Sequence, residues 1–368
     1  MEEICASLRC SRPWLYKWVR RYSTGERNWF RDHSRRPHTI LGRTEDRVER
    51  LVIAVRLELE ARGVFSGAQN IAWELQERGR EDIPSVRTIN RILQRRGLIR
   101  QQVERYQSKG KSYPELLAQS PNAVHQTDFL GPCYLHGPIR FYSLNAVDLA
   151  TGRCGAEPVL GRDAQQTIDA LWQMWRRLGL PRYQQLDNEM VFYGSPAHPR
   201  GMGSILRLCL LNKVEPLFIP FDEPWRNGVV EKFNHHYRQK FLGRVTIDNF
   251  RQLQREALAF EHKHNKLYRY SKLKGRTPLE ALAMSKSLLR FPVKDRAPHH
   301  PLPKPEQGRY HLIRFIRSDA RLDIFGERFT VPPEAIYEYV TATVDVQRQR
   351  LAIYLHKQQV DEVPYKLR

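Results

Sequence analysis

The sequence predicts a multidomain protein with all-α modules at the N-terminus, an α/β core built on a mixed sheet, and a small C-terminal β-barrel. Three observations predict this. Apolar residues recur at helical spacing before residue 100, strand-like and helix-like stretches alternate between residues 121 and 290, and short strand-like stretches separated by turns follow residue 308. A length of 368 residues also exceeds that of one ordinary domain.

Charge and composition favour a nucleic-acid-binding protein and exclude a membrane-spanning one. Lys and Arg number 61 against 40 Asp and Glu, a net charge of +21, and 41% of the residues are hydrophobic, enough to build cores. Such a positive excess indicates a nucleic-acid partner before a generic basic protein. No apolar stretch reaches the ~18–20 residues of a membrane span, and the polar N-terminus lacks a signal region, so we expect no membrane association. Five scattered cysteines without a CxxC pair favour a reducing compartment, the cytoplasm.

Residues 1–43 predict a first helix-turn-helix followed by a linker. Ser11 and Pro13 open a helix on which Leu15, Trp18, Val19 and Tyr22 form one apolar stripe. That stripe leaves four basic side chains for solvent or phosphate: Arg12, Lys17, Arg20 and Arg21. The preceding helix is short for this motif, which leaves open that the chain begins inside it.

Residues 44–106 predict a second helix-turn-helix domain. Helices are expected over Glu45–Arg62 and Ser66–Arg78, and Ser85 is a good N-cap for a third over Val86–Leu93. On the third, Val86, Ile89 and Leu93 point inward. The outward side chains suit phosphates and base edges in a major groove, and they are Arg87, Thr88, Asn90 and Arg91. The alternative is a helical bundle with an ordinary charged surface.

A linker over residues 107–120 leads into the core, residues 121–290. Strands are predicted at Ala123–Phe129, Ile139–Asp148, Arg153–Leu160, Arg182–Leu186 and Glu215–Pro220. Helices are predicted at Asp163–Leu178, Gly203–Asn212, Trp225–Leu242 and Phe250–Lys266. A meander of three strands followed by alternating helix and strand indicates a mixed sheet covered by helices.

Three carboxylates stand at or near the ends of these predicted elements: Asp128, Asp187 and Glu231. Their contexts are His125–Asp128 (HQTD), Gln185–Asn188 (QLDN) and Pro224–Asn234 (PWRNGVVEKFN). These segments resemble the Asp, Asp, Glu signature of the retroviral-integrase-like core, which has a ribonuclease H-like fold. The order of the modules is most similar to bacterial insertion-sequence transposases with N-terminal helix-turn-helix modules.

The resemblance implies that Asp128, Asp187 and Glu231 are both catalytic residues and metal ligands. Hard carboxylate oxygens suit Mg²⁺, with Mn²⁺ able to substitute. Two ions are implied, with Asp128 bridging them, and the attacking group would be water or a 3′-OH. Arg238, seven residues after Glu231, would contact donor-end DNA, and Asn227 is a candidate cap for the helix. The chain departs from the family at Glu189, an extra carboxylate that complicates assignment of the second ligand.

The C-terminal part begins with a basic, Tyr-containing segment, Asn265–Arg276, that suits contact with a DNA backbone or only closes the core. A Pro-rich linker follows at residues 291–307. Short strands are then predicted at Tyr310–Ile316, Arg321–Ile324, Glu327–Val331, Tyr339–Asp345 and Arg350–Leu355. So many short strands predict a small barrel over residues 308–368, for DNA binding or assembly.

These features together predict a Mg²⁺-dependent transposase or integrase. It would bind the terminal inverted repeats of its element, join them to target DNA, and act as a homo-oligomer, since two ends must meet one target. We expect a cytoplasmic bacterial protein, nucleoid-associated when bound to DNA. One alternative is a domesticated or inactive helix-turn-helix regulator that keeps the integrase-like fold; a more distant one is a ribonuclease H-type nuclease.

Overall fold

The computed structural model describes residues 2–25, 27–32, 44–99, 112–135, 139–195, 197–198 and 200–368. The chain divides into two units, Met1–Arg50 and Leu51–Arg368. Residues 33–43 and 107–111 of the predicted linkers lie outside the described residues. Within the described ranges, every helix is too short or too polar to cross a bilayer.

The first unit contains helices α1 (Glu2–Ser7) and α2 (Arg12–Ser23). As predicted, Ser11 caps α2 by accepting a hydrogen bond from the Trp14 N–H at 3.4 Å, and a proline lies in the first turn. The predicted apolar stripe is wrong in part: Leu15 is buried, but Val19 and Tyr22 are 48% and 67% exposed. The reason is that α1, only six residues long, buries none of its own side chains and offers α2 little apolar surface.

Three further helices follow: α3 (Asp46–Ala61), α4 (Ala68–Glu77) and α5 (Val86–Arg95). Ile89, Ile92 and Leu93 of α5 are buried with Ile71 and Leu75 of α4. Ser85 accepts a hydrogen bond from the Thr88 N–H at 3.2 Å, which confirms it as the N-cap of α5. The helices therefore form where apolar periodicity predicts them.

Residues 51–99 belong to the same unit as the core, whereas the sequence suggested a separate domain. Phe65, in the loop between α3 and α4, lies in edge contact with His236, Tyr268 and Tyr270 of the core, at ring distances of 4.8–5.4 Å. The buried Tyr268 hydroxyl donates to the Gly63 carbonyl at 2.6 Å. Buried aromatic contacts of this kind fix the helices on the core.

The predicted meander is present as β1 (Val124–Tyr134), β2 (Arg140–Asp148) and β3 (Cys154–Val159). β1 runs five residues past its predicted end, through an irregularity between Leu130 and Cys133. Asp128 therefore lies within the strand, opposite Asn145 of β2, and not at its end. Gly131 sits at the irregularity with φ +138°, and a Cβ there would come within 2.7 Å of the Tyr142 ring.

Strands β4 (Tyr183–Leu186) and β5 (Glu215–Phe218) extend the sheet in parallel beyond β1. Helix α6 (Ala164–Leu178) connects β3 to β4, and α7 (Met190–Tyr193) and α8 (Ser204–Leu211) lie between β4 and β5. Side chains alternate across the sheet: Leu144 and Ala146 of β2 pack with α6 and α8, whereas Phe141 and Val147 pack in a second core with Phe233 and Phe260. The mixed sheet covered by helices confirms the predicted α/β class.

The remaining helical elements follow β5. A 3₁₀ turn (Pro224–Asn227) leads into α9 (Gly228–His236), which continues as a π-helical segment (Tyr237–Leu242). Then come α10 (Phe250–Leu267), a 3₁₀ turn (Ser271–Leu273) and α11 (Pro278–Met284). α10 covers the open edge of β3: the Asn265 side chain bonds both the N–H and the carbonyl of Cys154, and Glu261 accepts from the Ala156 N–H. These bonds satisfy backbone groups that an edge strand would otherwise expose.

The C-terminal strands do not form a separate barrel. β6 (Arg309–Phe315) pairs in parallel with β5, and β9 (Tyr339–Asp345), β10 (Arg350–Leu355) and β11 (Gln358–Pro364) follow, so the sheet order is β11-β10-β9-β6-β5-β4-β1-β2-β3. β7 (Arg321–Ile324) and β8 (Glu327–Thr330) pair apart from this sheet, as a hairpin. β6 to β10 lie where strands were predicted, but β11 was not predicted. The free edge of β5 decides the partner of β6, and sequence alternation does not reveal that choice.

Candidate active site

The sheet brings Asp128 and Asp187 side by side. β1 and β4 are parallel neighbours with Gln126 opposite Gln185, and each aspartate lies two residues beyond its glutamine. Because side chains along a strand return to the same face every second residue, both aspartates project to the face of their glutamines. Glu231 approaches from the first turn of α9.

Neighbouring negative charges act on Asp128. Burial, followed by the charges of Asp187, Glu189 and Glu231, raises the pKa of Asp128 to about 7. Burial likewise raises the pKa of Asp187 to about 6, and the pKa of Glu231 is raised by burial alone. Negative charge is therefore concentrated here at an energetic cost that a bound cation would remove.

The acids fit a divalent cation in their chemistry, but they do not form a finished cage. In the described part of the chain, no three His, Cys, Asp or Glu side chains are gathered closely enough to hold an ion by themselves. Mg²⁺ typically takes only one or two protein carboxylates and completes its shell with water and substrate phosphate. Asp128, Asp187 and Glu231 suit that kind of open, oxygen-rich site.

Glu189 differs from the other three carboxylates because it has a cationic partner. Its Oε2 accepts a hydrogen bond from Arg162 Nη1 at 2.6 Å. Its backbone N–H donates to Asp187 Oδ1 at 3.0 Å, which orients that carboxylate. Glu189 thus supports the turn through its main chain while its side chain is engaged elsewhere.

Asn234 contacts Asp128 directly, a role that the sequence analysis missed. Its Nδ2 donates to Asp128 Oδ2 at 2.8 Å, and its Oδ1 accepts from Asn145 Nδ2 at 2.7 Å. Ser143 in turn donates to Asn145 Oδ1 at 2.7 Å. The available signal was the spacing, since Asn234 lies three residues after Glu231 and so faces the same side of α9.

The start of α9 is held by the two glutamines that precede the aspartates. Gln126 Oε1 accepts from the N–H groups of Val229 and Val230 at 3.0 and 3.2 Å. Gln126 and Gln185 also donate to the Arg226 carbonyl at 3.1 and 2.9 Å. The strands that carry the aspartates therefore also set the position of the helix that carries Glu231.

Asn227 is not the side-chain cap that the sequence suggested. It is buried, its Nδ2 donates to the Thr127 carbonyl at 3.2 Å, and its Oδ1 accepts from Gln185 at 3.2 Å. Gln126 supplies the cap instead, from 103 residues away in sequence. A local sequence pattern cannot predict a capping residue that comes from so distant a strand.

Arg314 links the C-terminal strands to the turn after Asp187. Its guanidinium is buried, donates to Asn188 Oδ1 at 2.8 Å and to the Ile219 carbonyl at 3.0 Å, and lies 4.3 Å from the Phe221 ring. Asn188 itself donates to the same Ile219 carbonyl at 2.6 Å. Burial lowers the pKa of Arg314 to about 10. This buried cation, contributed by β6, braces the residue next to Asp187.

The predicted DNA-binding residues lie on three elements. Arg87, Asn90 and Arg91 are exposed on α5, and Thr88 is half-buried because it takes part in the Ser85 cap. Arg238 is exposed on the π-helical segment near Cys133. On α2, Arg12 pairs with Glu2, Lys17 pairs with Asp32, and Arg21 donates to the Arg31 carbonyl, while Arg20 is exposed.

Buried histidines near this site predict acid sensitivity. Burial lowers the pKa of His264 to about 3 and that of His125 to about 4, whereas an unfolded histidine titrates near ~6.5. Unfolding therefore takes up protons below pH ~6.5, so stability is full above that pH and falls as the pH drops toward the folded-state values. Each of the two should contribute about 1.3 kcal/mol of lost stability between pH 7.5 and 5.5.

Urea unfolding of wild type, His264→Gln and His262→Gln at the two pH values measures this effect. Burial also lowers the pKa of His236 to about 4, so three histidines contribute. His264→Gln should therefore lose about a third of the histidine-dependent change, because one residue that must be protonated is gone. His262, exposed on the same helix, provides the matched control and should keep the wild-type response. Equal pH responses in all three proteins would show that His264 does not remain neutral in the fold.

Comparison with known proteins gives only distant likenesses. No family model and no curated protein matches the chain. Among solved structures, the HTLV-2 integrase catalytic core domain in complex with magnesium is 17% identical in its trimeric form and 18% in its dimeric form, with a TM-score of 0.35 for both. These likenesses cover 44% and 45% of this chain and 97% and 99% of those chains.

The simian T-cell lymphotropic virus intasome in complex with PP2A regulatory subunit B56 gamma is 12% identical, with a TM-score of 0.40, over 80% of this chain and 93% of that one. Identities and scores this low leave the function to be inferred from the chain's own residues.

Proposed function

We propose that this protein is a metal-dependent DNA transposase or integrase that binds the terminal inverted repeats of its element and catalyses strand cleavage and strand transfer. The observation that carries the proposal is the parallel pairing of β1 and β4, which carry Asp128 and Asp187, with Glu231 on the helix α9 whose Asn234 donates to Asp128. The same three acids carry the resemblance in sequence to the integrase-like signature.

Asp128, Asp187 and Glu231 would hold two Mg²⁺ ions, for which Mn²⁺ could substitute. When bound, these ions activate the attacking oxygen and stabilise the leaving oxygen of a phosphodiester. The chain itself orients the ligands: Asn234 fixes Asp128, the Glu189 N–H fixes Asp187, and Gln126 fixes the start of α9. Such preorganisation lowers the cost of assembling the reacting groups.

DNA binding would use the exposed polar face of α5, in the manner of a recognition helix in a major groove. Arg87, Asn90 and Arg91 project from a helix whose opposite face is buried, so they are presented together. The first unit would add Arg20 and, after exchange of their acidic partners for phosphate, Arg12 and Lys17. We further propose a homo-oligomer in the DNA complex, because joining two element ends requires two bound ends.

A strand-transfer assay tests the proposed function. Purified protein is incubated with a labelled terminal-repeat duplex, a target plasmid and Mg²⁺ or Mn²⁺, and we expect joined products only when a metal is present. Terminal repeats can be sought as inverted repeats flanking the coding region. Specific binding to those repeats without cleavage, over a range of metal and salt concentrations, would instead support a helix-turn-helix regulator with an inactive core.

A further inference from the structure

Three cationic side chains lie near one another where the end of α3 contacts the core. Lys240 lies on the π-helical segment after α9, Arg244 follows that segment, and Lys263 lies on α10. Arg244 Nη1 and Lys263 Nζ each come within 3.2 Å of the position that a Cβ on Gly63 would occupy, so the two cations are within twice that distance of each other. We call Lys240, Arg244 and Lys263 the cation seam.

Gly63 makes this approach possible. It lies just after α3 with φ +67°, a left-handed conformation that glycine adopts without strain. Any side chain there would also fill the space into which Arg244 and Lys263 project. Arg244 Nη1 donates to the Glu60 carbonyl at 2.8 Å, so one member of the seam is tied to the C-terminal end of α3.

The positive charge of the seam is poorly compensated within the chain. Burial, followed by the charge of Arg244, lowers the pKa of both Lys240 and Lys263. Among the described residues, neither lysine has a hydrogen bond or an ion pair. Nearby acids are already engaged, since Glu60 pairs with Arg56 at 2.6 Å and Glu74 with Arg62 at 3.2 Å. The carbonyl end of α3 offsets only part of this charge.

We propose that the cation seam binds a phosphate group of a DNA backbone. Two half-buried lysines and an arginine offer several N–H donors and a positive charge to one anion, which is the chemistry that phosphate binding requires. The exposed cation Lys266, three residues beyond Lys263 on α10, continues the positive surface, so an extended polyanion suits it better than a free ion.

The position of the cation seam would couple DNA binding to the packing of the N-terminal helices on the core. A phosphate held there would contact both the π-helical segment after α9 and the C-terminal end of α3, at the junction that fixes α5 on the core. The inference rests on the proposed function only in taking DNA as the ligand. It would explain why like charges are kept together at a junction where burial makes them costly.

The test measures DNA affinity against salt concentration for wild type and for Lys240→Gln/Lys263→Gln. Loss of one phosphate contact should reduce the slope of log K against log salt by about 0.9 and weaken binding at low salt by roughly tenfold. Lys240→Arg/Lys263→Arg keeps the charge and should restore both values. Lys304→Gln/Lys366→Gln removes the same charge from exposed positions elsewhere and should leave the slope unchanged.

Melting temperatures separate binding from a structural role. Relief of like-charge repulsion predicts that the double Gln variant is at least as stable as wild type. An unchanged slope, with or without a lower melting temperature, would overturn the inference. Inorganic phosphate at millimolar concentration, added to wild type, should not weaken DNA binding in the way that the double Gln substitution does. If it does, the cation seam binds a free anion and the assignment to DNA is wrong.

The same experiments distinguish this inference from the proposed function. If the double Gln variant shows the predicted change in slope but wild type never joins strands under any metal condition, the proposed catalytic function fails and the seam stands. If wild type joins strands and the double Gln variant binds with an unchanged slope, the seam fails and the catalytic proposal stands.

Discussion

Asp128→Asn should abolish strand joining while leaving terminal-repeat binding intact. The substitution replaces a hard anionic ligand with an amide at the carboxylate expected to bridge both ions, so the loss should be on the order of a thousandfold or more, as metal catalysis contributes several kcal/mol to such transition states. It should not lower the melting temperature, because it removes a charge that burial and the neighbouring carboxylates disfavour at this position. Joining assays, repeat-binding titrations and thermal melts on the same preparation measure all three.

Glu189→Gln is the matched control for that prediction. Its carboxylate acts on Asp128 electrostatically but pairs with Arg162, and its contribution to the Asp187 turn comes from the backbone N–H. We expect less than about a tenfold loss of joining, since no proposed ligand is removed. If Glu189→Gln abolishes joining while Asp187→Asn does not, the second metal ligand has been assigned to the wrong residue.

Arg314→Met should reduce strand joining by about 10–100-fold, the usual effect of removing a group that orients a metal ligand's surroundings. Met keeps most of the side-chain volume but leaves Asn188 Oδ1 without its donor and frees the turn that carries Asp187. Metal dependence distinguishes positioning from general damage: the Mg²⁺ concentration for half-maximal joining should rise, and direct Mn²⁺ binding to the free protein should weaken. Arg314→Lys should rescue part of both effects because it keeps a donor and the charge.

Arg317→Met controls for the loss of an arginine from the same strand region. Arg317 is exposed three residues further along the chain, where no described contact ties it to Asn188. Its joining rate and Mg²⁺ dependence should match wild type. If Arg314→Met behaves like this control, β6 only extends the sheet and does not support the candidate site.

Local patterns predicted most of the elements. Apolar periodicity and capping residues predicted α6 and α5 to within a few residues, since those signals act within one or two turns of the chain. After residue 308 the positions of β6 to β10 were predicted equally well, but β11 and the partner of β6 were not. Alternation of side chains is the same in a barrel and in an open sheet, so it carries no information about which edge a strand joins.

The candidate site divides in the same way. Its three acids were predicted from their sequence contexts, and their role stays a prediction. The structure places Asp128 and Asp187 on neighbouring parallel segments and Glu231 on the helix whose Asn234 contacts Asp128. Asn234, Gln126 and Arg314, which orient them, contact partners about 95 to 126 residues away in sequence. Asparagine, glutamine and arginine are common surface residues, so nothing in their local sequence marks them as supports of a site.

The sequence by itself determined the patterns from which the chemistry is proposed: carboxylates that suit a hard metal ion, a basic excess that suits a polyanion, and helices with one polar face that suits DNA. Only the tertiary structure decided how these parts are joined. It placed Phe65 in the core so that α5 is fixed on it, and extended the core sheet through β6 so that Arg314 reaches Asn188. The physical reason is range: capping and periodicity act over a few residues, whereas sheet edges, buried aromatic contacts and buried charges choose their partners through space.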